Sequence, residues 1–94
     1  MGALRVLGAV AVGRDADGLY AMSTICTHQG CPTEAMGGGL FCACHGSFFA
    51  ADGSVVRGPA RASLPHYQLD IDEAGALTVQ AGTVVPPGTR VQAP

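Results

Sequence analysis

Short apolar runs alternate with turn-forming residues along the first part of the chain. Residues 4–12 are rich in Val, Leu and Ala and end at Gly13, which precedes the polar segment 15–18. An Asp-Gly pair between two apolar runs is a strong hairpin indicator, because Gly accepts the backbone dihedrals that such turns require. Residues 19–25 are the second apolar run and lead directly into Cys26. The pattern predicts a hairpin whose return strand delivers the first cysteine.

The middle of the chain predicts a smaller hairpin. Residues 32–36 and the three glycines 37–39 are expected to form turns, and the short apolar pair 40–41 leads into Cys42. This arrangement is typical of a hairpin that presents one loop at each end. The following segments are predicted as a strand, a turn, a strand and a rigid Pro-containing loop, over residues 48–50, 51–53, 54–56 and 58–60.

Alternating apolar and polar positions return near the C-terminus. Residues 67–71 and 76–79 alternate, and residues 72–75 join them, which predicts an antiparallel pair with one buried face. From Gly82 onward we expect an extended tail that lies across the domain. The sequence contains no repeat and no second domain, so a single domain over residues 1–94 is predicted.

Composition supports an all-β fold. A chain of 94 residues buries limited apolar surface, so a covalent or metal staple is expected. The 14 glycines and 6 prolines favour short strands and turns, and no window has the pattern of an amphipathic helix.

Charge and hydropathy exclude some classes of binding partner. Five arginines against seven acidic residues give a net charge of −2, and no basic run could follow a phosphate backbone, so no nucleic acid partner is expected. The apolar run 7–12 is too short to cross a bilayer, and we expect no membrane span in this chain. The start Met1-Gly2-Ala3 fits a natural N-terminus and equally a chain from which an anchor or export signal was removed.

The candidate chemistry is concentrated between Cys26 and Ser47, which enclose all four cysteines and two of the three histidines. Cys26 is paired with His28, and Cys42 with His45. Two thiolates and two imidazoles suit either one tetrahedral zinc or the two irons of a [2Fe–2S] cluster. Spacing alone leaves both open.

The motif Cys-Thr-His-x-Gly-Cys, followed by Cys-x-Cys-His-Gly-Ser and a later Gly-Pro-Ala and Leu-Pro, resembles the Rieske iron–sulfur proteins. More narrowly, it resembles their disulfide-containing branch in cytochrome bc complexes and arsenite oxidase. The resemblance covers roughly residues 7–80. It implies a small antiparallel β-sandwich or barrel and a cluster-binding subdomain of two loops at one tip, at about residues 26–49. It also implies one-electron transfer through one [2Fe–2S] cluster per chain.

The resemblance assigns a role to each residue of the motif. Cys26 and Cys42 would bind the inner iron, and His28 and His45 the outer one. Cys31 and Cys44, which occupy matching places in the two loops, would form a disulfide. The segment Gly58-Pro59-Ala60 would be a third loop that covers the cluster.

Further residues are expected to tune the reduction potential. Histidine ligation leaves the oxidised cluster neutral, which raises the potential from about −400 mV into a range of about −150 to +300 mV. The hydroxyl of Ser47 is expected to donate to a bridging sulfide, whereas Phe49 stands where many high-potential members have Tyr. Gln29 replaces a Leu common in bc-type proteins, which makes the tip polar and argues against quinone docking. Gly58 and Pro59 belong to the tuning set as part of the covering loop.

Residues outside the motif receive simpler interpretations. We expect His66 to be a surface histidine, and Phe48 and Phe49 to belong to the core or to line the cluster. The acidic residues Asp70 and Glu73, with Asp72 between them, are expected in a solvated turn.

The predicted function is one-electron transfer, as a redox subunit or soluble carrier of a respiratory-type chain without its own substrate site. Its partner would be a cytochrome, an oxidoreductase subunit or quinol. The alternatives are a ferredoxin component or fragment of a Rieske oxygenase system and, more remotely, a structural zinc module. A complete oxygenase needs a further two-His-one-carboxylate iron site, and only His66 remains for it. A disulfide would place the protein in the periplasm or at an extracytoplasmic membrane face.

Overall fold

The structure, a computed structural model, describes residues 3–27, 30–44 and 46–92. This part of the chain contains nine β-strands and no helix, so no helix in it is long and apolar enough to cross a membrane. The strands are β1 Ala3–Leu7, β2 Val10–Asp15, β3 Gly18–Ser23, β4 Glu34–Met36, β5 Gly39–Phe41, β6 Phe48–Phe49, β7 Val55–Arg57, β8 His66–Ile71 and β9 Leu77–Val85. The all-β prediction is confirmed.

Five strands form the large sheet, in the order β1-β2-β3-β8-β9, with every pair antiparallel. The predicted hairpin is present as β2 and β3, closed by a turn in which the amide of Asp17 donates to the carboxylate of Asp15. Residues 4–12, however, are not one strand. Gly8 adopts a left-handed φ of 65°, which turns the chain between β1 and β2. The prediction missed this turn because Gly8 is surrounded by apolar residues.

Gly13 does not end a strand, as the sequence suggested, but lies inside β2. A Cβ atom at this position would collide with the ring of Tyr20, which lies on the neighbouring strand opposite Gly13. The missing side chain therefore makes room for a buried tyrosine.

The small sheet contains β4-β5-β6-β7, again with antiparallel pairs. Gly37 and Gly38 both have positive φ, as a tight two-residue hairpin turn requires. Residues 34–36, expected to be a turn, are instead the strand β4. All three are exposed, so no alternation of apolar and polar residues reveals this strand in the sequence.

One hydrophobic core joins the two sheets. Tyr20 and Met22 contribute from the large sheet, and Leu40 and Phe49 from the small one. Cys26, Cys42, Ala60 and Leu64 belong to the same cluster. The expected core position of Phe49 is confirmed, whereas Phe48 is half-buried and lies outside this core cluster. Because two cysteines lie within this core, the candidate site lies at the junction of the sheets.

The C-terminal pair β8 and β9 is present, but β9 is longer than predicted and continues to Val85. Most of β9 is exposed, so the expected buried face is confined to β8. Asp72 and Glu73 are exposed beyond the end of β8 as expected, whereas Asp70 is an exposed residue of β8 itself. The carboxylate of Asp72 accepts bonds from the backbone amides of Ala74 and Ala76. Beyond β9 the tail returns to the large sheet, where Val91 pairs with Leu19.

Candidate metal centre

The first cysteine loop begins shortly after β3 ends at Ser23. The carbonyl of Cys26 accepts a bond of 3.0 Å from the amide of Gly30, and the amide of Cys26 donates to the carbonyl of Cys31 at 2.7 Å. Gly30 has a φ of 75°, a conformation that favours glycine. These two hydrogen bonds bring Gly30 and Cys31 back to Cys26, which lies at the base of the first loop.

The second loop repeats this hydrogen-bond pattern. The carbonyl of Cys42 accepts from the amide of Gly46 at 2.9 Å, and the amide of Cys42 donates to the carbonyl of Ser47 at 2.8 Å. The two loops thus share this pair of backbone hydrogen bonds, with Cys26 matched to Cys42. Cys31 corresponds to Ser47, so the expectation that Cys31 and Cys44 occupy matching places is wrong.

The predicted disulfide between Cys31 and Cys44 is present, with 6.5 Å between the two Cα atoms. The sulfurs of Cys31, Cys42 and Cys44 all lie within 4.8 Å of one another. The two bonded sulfurs offer no thiolate, so these three residues do not form a metal site by themselves. The cysteines outside the disulfide are Cys26 and Cys42, which are 3% and 1% exposed.

Three residues assigned to the site lie outside the part of the chain that the structure describes: His28, Gln29 and His45. The assignments of the two histidines as ligands and of Gln29 as a polar tip residue stay predictions.

The third loop contacts both cysteine loops. Its Ala60 amide donates a bond of 3.0 Å to the hydroxyl oxygen of the fully buried Ser47. Because this oxygen accepts from Ala60, the proton of Ser47 remains available for another acceptor. On the other side, the hydroxyl of Thr27 donates to the carbonyl of Ala62 at 2.5 Å. The segment that begins at Gly58 and Pro59 therefore holds the two loops together, a role that sequence reasoning missed for Thr27.

Two side chains of the large sheet hold the turn between β6 and β7. The hydroxyl of Tyr20 donates to the carbonyl of Ala51 at 2.6 Å, and Nε2 of His66 lies 2.7 Å from the carbonyl of Asp52. A carbonyl accepts, so Nε2 carries the proton. His66 is 2% exposed, and the expectation of a surface histidine is wrong. Sequence alone cannot separate a buried from an exposed histidine when no ligand pair accompanies it.

Burial and hydrogen bonds shift the pKa values of three side chains in this region. Burial raises the pKa of Tyr20, which keeps its phenol protonated and able to donate. The guanidinium of Arg90 lies 4.3 Å from the centroid of the Tyr20 ring and bonds to Asp15. The hydrogen bond from Arg90 lowers the pKa of the Asp15 carboxyl below its usual value. Hydrogen bonds from Ser54 similarly lower the pKa of Asp52 in the turn.

The donor set fits an iron–sulfur cluster bound at the tip. Each loop places one buried cysteine at its base, the loops share one backbone pattern, and a disulfide joins them. Buried thiols from two loops are suitable cluster ligands, and the apolar core beneath them excludes water.

Comparisons with known proteins agree with an iron–sulfur cluster at this site. Residues 1–68 match the family model of the Rieske [2Fe-2S] domain, which ends short of the expected limit near residue 80. The chain is 48% identical over 60 residues to the chloroplastic cytochrome b6-f complex iron-sulfur subunit of Arabidopsis thaliana, covering 62% of this chain and 26% of that protein. It is 47% identical over 73 residues to the cytochrome bc1 complex Rieske iron-sulfur subunit of Corynebacterium diphtheriae, covering 72% of this chain and 18% of that protein. The chain thus spans only a small part of the length of these two relatives.

A solved structure shows the same fold. The cyanobacterial plasma membrane Rieske protein PetC3 from Synechocystis PCC 6803 matches with a TM-score of 0.63 and 29% identity, over 82% of this chain and 83% of that chain. Together with the family match over residues 1–68, this establishes that the chain belongs to the Rieske [2Fe-2S] domain family and that its cofactor is a Rieske-type [2Fe–2S] cluster.

Proposed function

We propose that this chain transfers single electrons between two redox partners through a [2Fe–2S] cluster held by Cys26, His28, Cys42 and His45. The observation that carries the proposal is the pair of loops with one hydrogen-bond pattern, each with a buried cysteine at its base. The bound cluster would supply reversible one-electron chemistry at a potential raised by its two imidazole ligands.

The chain's own residues would hold and tune that cluster. The Cys31–Cys44 disulfide fixes the two loops relative to each other. Ser47, oriented by the amide of Ala60, would direct its proton toward a cluster sulfur and favour the reduced state. Phe49 adds apolar surface to the core below but offers no such donor.

The partner is proposed to be a cytochrome-containing complex or another oxidoreductase. This rests on the relatives, which are named as iron-sulfur subunits of cytochrome b6-f and bc1 complexes. The chain would have no substrate site of its own, and a polar Gln29 at the predicted tip would make quinol the less favoured partner. The disulfide supports a periplasmic or extracytoplasmic location, since such bonds persist in oxidising compartments.

Residues 1–94 are proposed to form a single domain. The cluster-binding subdomain, expected at about residues 26–49, would also include β7, because that strand pairs with β6 in the small sheet.

Metal analysis tests the proposal. The purified protein should be brown and contain two irons and two acid-labile sulfides per chain. Double substitution of Cys26→Ser and Cys42→Ser should abolish both, whereas Ser63→Ala, at an exposed position of the third-loop region, should leave them unchanged. A colourless protein with stoichiometric zinc would contradict the proposal.

A further inference from the structure

The outer face of the small sheet is the side turned away from the shared core. Residues directly opposite each other on neighbouring strands share a face. Glu34 pairs with Phe41, Phe41 with Phe48, and Phe48 with Arg57, so these four form one row across the sheet. The neighbouring pair Leu40 and Phe49 points into the core instead. The row presents two aromatic rings between an acidic and a basic end.

A cavity of about 310 Å³ opens on this outer face. Its lining consists of Met36, Phe41, Phe48, Val56 and Arg57. Met36 and Val56 are 52% and 62% exposed, so both side chains are accessible at this face. Cavities of roughly 300 Å³ or more, lined by apolar and aromatic groups with a few polar ones, are typical of small-molecule sites.

Gly39 shapes the cavity from the middle of the sheet. It lies opposite Met36, and a Cβ atom there would collide with the backbone carbonyl oxygen of Phe49 and come 2.9 Å from the Cζ atom of Phe48. The absence of a side chain therefore lets the Phe48 ring lie across the sheet.

The charged side chains near the cavity determine which class of ligand it would bind. Arg57 is exposed and makes no ion pair or side-chain hydrogen bond with any residue that the structure describes. Glu34 lies at the far end of the row, three strand spacings or about 14 Å away along the sheet. The basic end of the cavity is thus left with an unpaired guanidinium, whose planar donors suit a carboxylate or a sulfonate.

We propose that this cavity binds a small anionic amphiphile, with its apolar part against Phe41 and Phe48 and its acidic group at Arg57. A second copy of the chain is a poorer occupant. Four strands of two or three residues present a face of only about 200 Å², far below the roughly 800 Å² per partner of a stable dimer. The site is distinct from the cysteine loops, and the proposal does not rest on electron transfer.

Titration calorimetry on the cluster-containing protein tests the site, with decanoate as the probe below its micelle concentration. Decyltrimethylammonium is the matched probe with the same chain and the opposite charge. We expect one decanoate per chain and clearly weaker binding of the cation. Arg57→Gln should weaken decanoate binding about two- to fivefold, as for exposed charge pairs, and remove the preference for the anion. Arg61→Gln, an exposed arginine outside the cavity lining, should change neither.

Val56→Glu should weaken decanoate binding about tenfold or more, because it places a carboxylate beside the anion. Val84→Glu is its control on β9, where Val84 is 67% exposed. An unchanged visible spectrum would show that each variant keeps its fold and cluster. Equal affinity for the two amphiphiles, or equal effects of Val56→Glu and Val84→Glu, would overturn the proposal. Sedimentation that shows a dimer dissolved by Val56→Glu would assign the face to a second copy and also overturn it.

Discussion

The imidazole ring of His66 stacks on the phenol ring of Tyr20, with 5.4 Å between the ring centroids and 18° between the ring planes. Both side chains belong to the large sheet, and both bond to carbonyls of the turn between β6 and β7, at Ala51 and Asp52. This turn joins two strands of the small sheet, which carries the second cysteine loop. The stacked pair therefore links the large sheet to the small sheet, which carries the second cysteine loop.

Tyr20→Phe should weaken this connection while keeping the stack. It removes the donor to the Ala51 carbonyl, a loss of about 1 kcal/mol, and should lower the melting temperature by about 4–8 °C. Tyr67→Phe is the matched control, since Tyr67 makes no side-chain hydrogen bond with any described residue. Thermal unfolding followed by circular dichroism measures both. Equal melting temperatures for the two variants would show that the Tyr20 bond does not stabilise the fold.

The pair Asp15 and Arg90 makes part of the stability dependent on pH. Arg90 lowers the pKa of Asp15 in the folded state, so the pair stabilises the fold above the ordinary Asp pKa of about 4. This contribution is lost as the pH falls through the lower, folded-state pKa. Asp15→Asn should therefore reduce stability at neutral pH and have little effect in strong acid, whereas Asp17→Asn should have little effect at either.

Arg90→Gln should cost more than Asp15→Asn at neutral pH, because it also removes the guanidinium from the face of Tyr20. Unfolding in urea at neutral and acidic pH compares the variants. A loss of stability in Asp15→Asn that is the same at both values would contradict the ion-pair explanation.

Joint substitution of Cys31→Ser and Cys44→Ser should destabilise the tip. The bond closes a loop with a sequence separation of 13, for which chain entropy predicts about 3 kcal/mol. Iron should then be lost to a chelator faster than from the unaltered protein. The rate of absorbance loss with chelator measures this, and an unchanged rate would refute a role of the disulfide in holding the loops.

Ser47→Ala should lower the reduction potential. A hydrogen bond that favours the reduced state by about 1 kcal/mol corresponds to about 40 mV for one electron. Phe49→Tyr should raise the potential by a similar amount if its hydroxyl reaches the sulfur of Cys42, and Ser63→Ala should leave it unchanged. Protein-film voltammetry at one pH compares the four proteins. An unchanged potential in Phe49→Tyr, with its hydroxyl within bonding distance in a crystal structure, would show that the tuning argument is wrong.

The two cysteine loops could be located from the sequence because their motif is local. Cys26, Cys42 and their neighbours lie in short loops whose residue types and spacing match the family motif. The pairing of Cys31 with Cys44 was predicted from the family resemblance, since spacing does not determine disulfide connectivity. The three-glycine segment also located the hairpin of the small sheet.

The errors arose where long-range contacts decide the structure. Gly13 remains within a strand because Tyr20 fills the space beside it, and His66 is buried because it bonds to a turn of the other sheet. The strand β4 is exposed on both faces and exists through pairing with β5 alone. None of these relationships leaves a periodic pattern in the sequence.

Pulsed electron paramagnetic resonance of the reduced protein tests the central claim most directly, because it detects nitrogen nuclei coupled to the cluster. The assignment of His28 and His45 as ligands predicts couplings from two imidazole nitrogens. Substitution of either histidine should remove its coupling or the cluster itself, whereas His66→Gln should leave both couplings in place. A reduced [2Fe–2S] signal without nitrogen coupling would contradict histidine ligation and the function proposed from it.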